Sequence, residues 1–249
     1  MASSRYGLKS VSRDDLVGFV SENVRALTEE EALAVLENPY ITPALIQKMA
    51  QVERLAAYYS VRLRMVAHRL TPMAYAVKFV HYLYWFDLVR LSVEVTVPAP
   101  VRRAIDTQLV ARAGELTAGE RIASARRCSS ALIKVFLFDN DPRVFEALLV
   151  NQRLREDDLL HLASSTRATP EKLVLLGSDM KWSSRYAIRK ALVLNPLTPR
   201  ATAAAQLRYL PRRDLRKIFA NPSTSIYLRR CIERIEENSR ERKRVEGLD

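Results

Sequence analysis

The sequence predicts an all-α protein built from short helices stacked pair on pair, and three observations carry that expectation. Glycine is scarce, six in 249 residues, while 48% of the chain is hydrophobic. That balance favours helices over a sandwich or a glycine-dependent nucleotide fold. A short punctuation, an apolar helix followed by Asn or a substitute and then Thr-Pro, recurs as AVLENPYITPALI, MVAHRLTPMAY, ASSTRATPEKL and LVLNPLTPRAT. The chain also matches itself at an offset of 127 residues without a gap, with 15 identities in the 47 positions that pair 59–105 with 186–232. Composition alone would give roughly 3.

Taken in order, SRDD at 12–15 signals the first helix start, within an N-terminal capping segment over 1–27. The capping box TEEE at 28–31 opens a repeat array that runs to residue 232. Its first junction is ENPYITP, and the first duplicated copy follows at 59–105. A second capping box, TAGE, stands at 117–120, and ALLVNQRLREDDLL carries a related junction. There Glu156, Asp157 and Asp158 gather at a helix start, where negative charge suits the helix dipole. Thr169-Pro170 precedes the second copy at 186–232, which contains the weaker junction FANPSTSIYL. Residues 233–249 mix both signs of charge at helical spacing and read as a solvated, fraying helix. The pattern amounts to about fourteen helices of ordinary length.

Each part of the punctuation has an expected job. Asn tolerates the left-handed conformation that ends a helix, Thr caps the next one through its hydroxyl, and Pro suits the first helical position. His68 stands where the second copy has Asn195, which makes it a helix-ending residue rather than a metal ligand. Ala76, Val80 and Leu83 match Ala203, Leu207 and Leu210 and form the expected core stripe. A second stripe, Tyr75, Phe79, Tyr82 and Phe86, is apolar here but becomes Thr202, Gln206, Tyr209 and Arg213 in the second copy, the polar outer face that an end repeat requires. The stretch HYLYWFDLVRL looks like a pocket for a flat ligand, yet Asp87 recurs as Asp214 while Trp85 and Phe86 become Arg212 and Arg213. Asp87 is therefore expected to cap or pack at a helix junction, and Trp182 to pack between repeats.

This spacing resembles the bacterial leucine-rich repeat variant and HEAT-like repeat families, whose members carry Asn-Pro-x-Thr-Pro between short helices. The resemblance extends over 28–232 in interrupted form and implies an α-solenoid of HEAT-like helical repeats. Some relatives in the variant family hold a cysteine-ligated cluster. Cys128 and Cys231 stand far apart with no partner at ligand spacing, so no metal or cofactor is expected. Trp85 and Asp87, with Arg90 one turn on, are similar to the Trp and Asp of HEAT-like alkylpurine DNA glycosylases. No phosphate loop, nucleophile elbow or H-E-x-x-H motif is present, and a non-catalytic role is expected.

The formal charge of +12 is unevenly placed. From 181 to 230 there are twelve Lys and Arg against one acid, Asp214. The expected partner-binding residues are Arg185, Arg189, Lys190, Arg200, Arg208, Arg212, Arg213, Arg216, Lys217, Arg229 and Arg230, with Trp182, Tyr209 and Trp85 as aromatic anchors. Such an excess attracts an acidic protein surface or nucleic acid. The expected function is a binding scaffold for an acidic partner, with a nucleic-acid-binding protein, including a DNA glycosylase of HEAT-like fold, as the alternative. The absence of a long apolar run and of a signal-like N-terminus predicts a cytoplasmic protein that does not insert into membranes.

Overall fold

The structure is a computed structural model that describes residues 5–245, so the ends of the capping segment and of the charged tail lie outside the described residues. Helices and turns make up the described chain, with no strand among the described residues. The chain divides into two compact units. One comprises Met1–Leu116 with Arg127–Leu132, and the other Thr117–Arg126 with Ile133–Asp249. The first holds α1 (Arg5–Leu8), α2 (Arg13–Asn23), α3 (Glu29–Glu37), α4 (Pro43–Ala50), α5 (Glu53–Ala57), α6 (Tyr59–Ala67), α7 (Met73–Val80), α8 (Trp85–Ser92) and α9 (Ala99–Arg112). The second unit holds α10 (Ala118–Ala125), the division falls within α11 (Ser130–Phe136), and the second unit continues with α12 (Pro142–Leu149), α13 (Glu156–Ala163), α14 (Pro170–Ser178), α15 (Met180–Ser183), α16 (Tyr186–Leu194), α17 (Arg200–Leu207), α18 (Arg212–Ala220) and α19 (Ile226–Val245). There are more helices than the sequence suggested because several, such as α1, α5 and α15, are about one turn long and carry too little periodicity to be recognised.

The duplication is larger than sequence identity reveals. Every helix from α3 to α9 starts 127 residues before its counterpart from α13 to α19. Upstream of residue 59 the two copies have diverged in sequence but keep the same helix starts, including Thr42-Pro43 over Thr169-Pro170. The expected core stripe is buried in both units, through Ala76, Val80 and Leu83 in one and Ala203, Leu207 and Leu210 in the other. The capping boxes at Thr28 and Thr117 form as expected, and Ser12 caps α2.

The junction asparagines work differently from the expectation. Asn38, Asn195 and Asn221 have φ of −71°, −77° and −71°, all extended backbone rather than left-handed. Their side chains set the turn. The Oδ1 of Asn38, Asn151, Asn195 and Asn221 accepts the N–H two residues on, at 2.8 to 3.0 Å. This is the Asx turn that a short amide makes with its own backbone. The amide nitrogen then reaches back to an upstream helix end. Asn38 donates to Leu8 O and Val11 O, Asn151 to Ala125 O, and Asn195 to Ala163 O and Ser165 O. One side chain thus shapes its own turn and satisfies carbonyls that a helix terminus leaves without intrahelical partners.

The Thr-Pro pair also splits into two forms, decided by spacing. With four residues from the junction residue to Thr, as in Asn38 to Thr42 and Ser165 to Thr169, Thr is the N-cap and Pro follows at the first helical position. With three, as in His68 to Thr71 and Asn195 to Thr198, the Thr N–H closes the turn on the junction carbonyl and Pro72 or Pro199 takes the N-cap place. Thr71 is then buried, and its hydroxyl donates back to Met65 O at 2.6 Å instead of capping.

His68 takes the Asn place in this scheme, its Nδ1 accepting the Leu70 N–H at 3.2 Å. That bond requires the neutral ring. Burial, with the charges of Arg64 and Arg69 beside it, holds the His68 imidazole below its ordinary pKa. The unfolded chain therefore takes up the proton first as the pH falls, and stability is lost below about pH 6.5. His68→Asn keeps an acceptor that does not titrate. Its urea midpoint is expected to move ahead of the wild type as the pH drops from 7 to 5; a constant difference would show that the ring is not held neutral by the turn.

Candidate binding surface

In the second unit the basic residues arise on α16 to α19, and one acidic residue organises part of them. Asp214, the third residue of α18, is 1% exposed and points inward with Leu215 and Ile218. Tyr186 at the start of α16 donates its hydroxyl to Asp214 Oδ2 at 2.5 Å, and Lys190 one turn later donates to Oδ1 at 3.1 Å. These two bonds, the tyrosine's first, hold the Asp214 carboxyl below the usual carboxylate range, and Asp214 in turn raises Lys190.

The first unit contains the same device. Tyr59 donates to Asp87 Oδ2 at 2.5 Å, and Arg90 from the same helix as Asp87 supplies a cation at 3.2 Å. Burial, and next the bond to Asp87, push the Tyr59 hydroxyl up to about 12. A second interaction is duplicated as well. Arg62 and Arg189 each donate to the carbonyl six residues upstream, Ala56 O and Ser183 O, and lie over the rings of Tyr82 and Tyr209 at 4.8 and 4.1 Å. The residue before each aspartate helix is Tyr84 or Pro211, so neither aspartate is an N-cap. Both tie the first turn of one helix to the first residue of the helix two before it, Tyr59 of α6 or Tyr186 of α16. Trp85 beside Asp87 is buried, at 5% exposure.

The candidate basic residues therefore separate into two groups. Arg189, Lys190 and Arg229 act inside the fold, the last donating to Asn221 O and Pro222 O. Arg185 stands 4.0 Å from Glu156, and the Arg212 guanidinium donates to the Ser239 hydroxyl of α19. Arg200, Arg208, Arg213, Arg216, Lys217 and Arg230 are exposed. On α18 the division is sharp, with Asp214, Leu215 and Ile218 inward and Arg212, Arg213, Arg216 and Lys217 all outward. Arg200 belongs elsewhere, lining a depression of about 470 Å³ between the turns that follow α16 and α18.

Among the aromatic candidates, Trp182 is 4% exposed, with Nε1 donating to Leu149 O and the Lys181 ammonium over its ring, so it packs between helices as expected. Tyr209 is more than half exposed and presents the ring that Arg189 covers on one side. Sequence reasoning passed over Tyr59 and Tyr186, although Tyr stands over Tyr at the first aligned position of the duplication. It also passed over Lys172, buried with its ammonium donating to Leu137 O at 2.9 Å; burial lowers its pKa. No signal in the sequence marks that lysine as interior.

Among the described residues no group of His, Cys, Asp or Glu is placed to hold a metal ion, and no helix is long and apolar enough to cross a membrane. Comparison of the chain with protein-family models, curated proteins and solved structures gives no match.

Proposed function

We propose that the chain is a non-catalytic cytoplasmic scaffold, an α-solenoid of HEAT-like helical pairs, whose basic face on α18 engages an acidic partner protein. The observation that carries this reading is the division of α18. Four cations, Arg212, Arg213, Arg216 and Lys217, share its exposed side, and the one acid of the region is turned inward, where Tyr186 and Lys190 occupy it. A positive face of this kind raises the local concentration of acidic ligands and steers their approach. Asp87, the residue that could have served catalysis, is engaged by Tyr59 and Arg90, and its neighbour Trp85 is buried.

The test compares poly-L-glutamate with a short duplex DNA as probes across a salt series. Arg212→Glu with Arg213→Glu is expected to weaken poly-L-glutamate binding about tenfold or more while helix content stays constant. Tyr209→Ala is expected to weaken it less. Duplex binding that persists at about 0.15 M salt, and whose log–log salt slope falls by about 2 in the double variant, would transfer the surface to nucleic acid. Binding of both probes unchanged by the double reversal would leave α18 as solubilising charge and end the proposal.

A further inference from the structure

The helices α4 and α14 occupy the same place in the duplicated unit, and so do α7 and α17, yet the two pairs approach each other differently. In the second unit Gly177 lets α14 close onto α17. A methyl group there would stand 2.6 Å from Thr202 Cγ2, and Gln206 Nε2 donates to Gly177 O at 3.3 Å. In the first unit the same three positions are Ala50, Tyr75 and Phe79. A methyl and two rings do not fit that separation. α4 makes no comparable contact with α7, and a cleft of about 490 Å³ stays open between the end of α4, α5 and α7.

The lining of this cleft has a definite chemistry. One wall is aromatic: Tyr75 is half-buried and tilted at 6.4 Å from the Phe79 ring, which is itself buried at 3% exposure, and Tyr82 lies beyond them beneath Arg62. The facing wall is shallow, formed largely by small alanines. Arg62 is held in place by two bonds to Ala56 O at 3.0 and 2.7 Å, and Lys78 is exposed at the rim. Glu53 is the one acid in the lining, which leaves a net charge of +1.

We propose that this cleft binds a small planar aromatic molecule carrying an anionic group, its ring against the half-buried Tyr75 and its anion toward Lys78 and Arg62. The site is independent of the α18 face. Its volume lies in the range of small-molecule pockets and matches one or two fused rings rather than a length of peptide. Contact with the Tyr75 ring admits a flat molecule, and the Lys78 and Arg62 cations select an anion over a neutral ring of the same size.

The test is calorimetric titration of the full chain with 2-naphthoate and 2-naphthamide. Naphthoate is expected to bind with a stoichiometry of one, and about tenfold or more tighter than the amide. Tyr75→Thr with Phe79→Gln, which installs the residues of the second unit, should abolish that binding. Ala57→Trp fills the cleft from its exposed rim without removing a core side chain, and should do the same in a chain whose circular dichroism is unchanged. Lys78→Glu should weaken naphthoate and leave the amide alone. Equal affinity for acid and amide, or naphthoate binding undisturbed by Ala57→Trp, overturns the site. An acidic peptide with one tryptophan that displaces naphthoate and binds more tightly would assign the cleft to a protein chain and overturn its small-molecule identity.

Discussion

Asn195→Ala is expected to destabilise the second unit by about 2–3 kcal/mol, because it removes three hydrogen bonds at once, one of them to the buried Ala163 carbonyl. The amide of Asn195 donates to Ala163 O and Ser165 O at 2.6 and 3.1 Å, and its oxygen accepts from Leu197 N at 2.9 Å. The residue is 8% exposed at the edge of the depression beside Arg200, so water can replace the two half-buried bonds in part but not the one to Ala163 O. Asn195→Asp should be worse still, since it keeps the acceptor but sets a carboxylate against two carbonyl oxygens. Urea unfolding followed by circular dichroism measures both. A cost below about 0.5 kcal/mol for the alanine variant, the level of an ordinary surface change, would show that the junction is held by its backbone alone.

Gly177→Ala is expected to cost about 1–3 kcal/mol, although alanine is the better helix former by nearly 1 kcal/mol. The added methyl would lie 2.6 Å from Thr202 Cγ2, and the β-branched side chain has few rotamers to turn to, so either Thr202 leaves its preferred rotamer or α14 and α17 separate. Thr202→Ser removes that methyl and should recover most of the loss. The double-mutant cycle is the measurement, and additive costs would place the strain somewhere other than this contact. The first unit carries Ala50 at the matching position, where it lines the open cleft with Tyr75 and Phe79, so the same methyl is harmless there.

Much of this fold was legible in the residues. The capping boxes at Thr28 and Thr117, the helix start at Ser12 and the core stripe through Ala76 and Val80 were all placed correctly, because each depends on side chains within one or two turns of each other. The full length of the duplication was not legible. Upstream of residue 59 the two copies retain helix starts and turn chemistry while their identities have decayed, and helices tolerate such drift when polarity and size persist. The basic surface was legible as composition, but its division was not. Arg189, Lys190 and Arg229 look the same in sequence as Arg213 and Arg216, and only the position of a carbonyl, a ring or Asp214 separates them.

Hydrophobic period, caps and turn residues act over a few positions and need no distant partner, so an all-helical chain with a duplicated plan can be read from the residues alone. Tertiary structure decided what the singled-out residues do. Asp87 and Asp214 meet tyrosines 28 residues earlier, Asn195 meets carbonyls 30 and 32 residues earlier, and the aromatic stripe holds open a cleft that its polar counterpart closes. The reason is physical. Burial and pairing depend on how closely two helices approach, and that distance is set by the volumes on both facing surfaces together, which no single stretch of sequence contains.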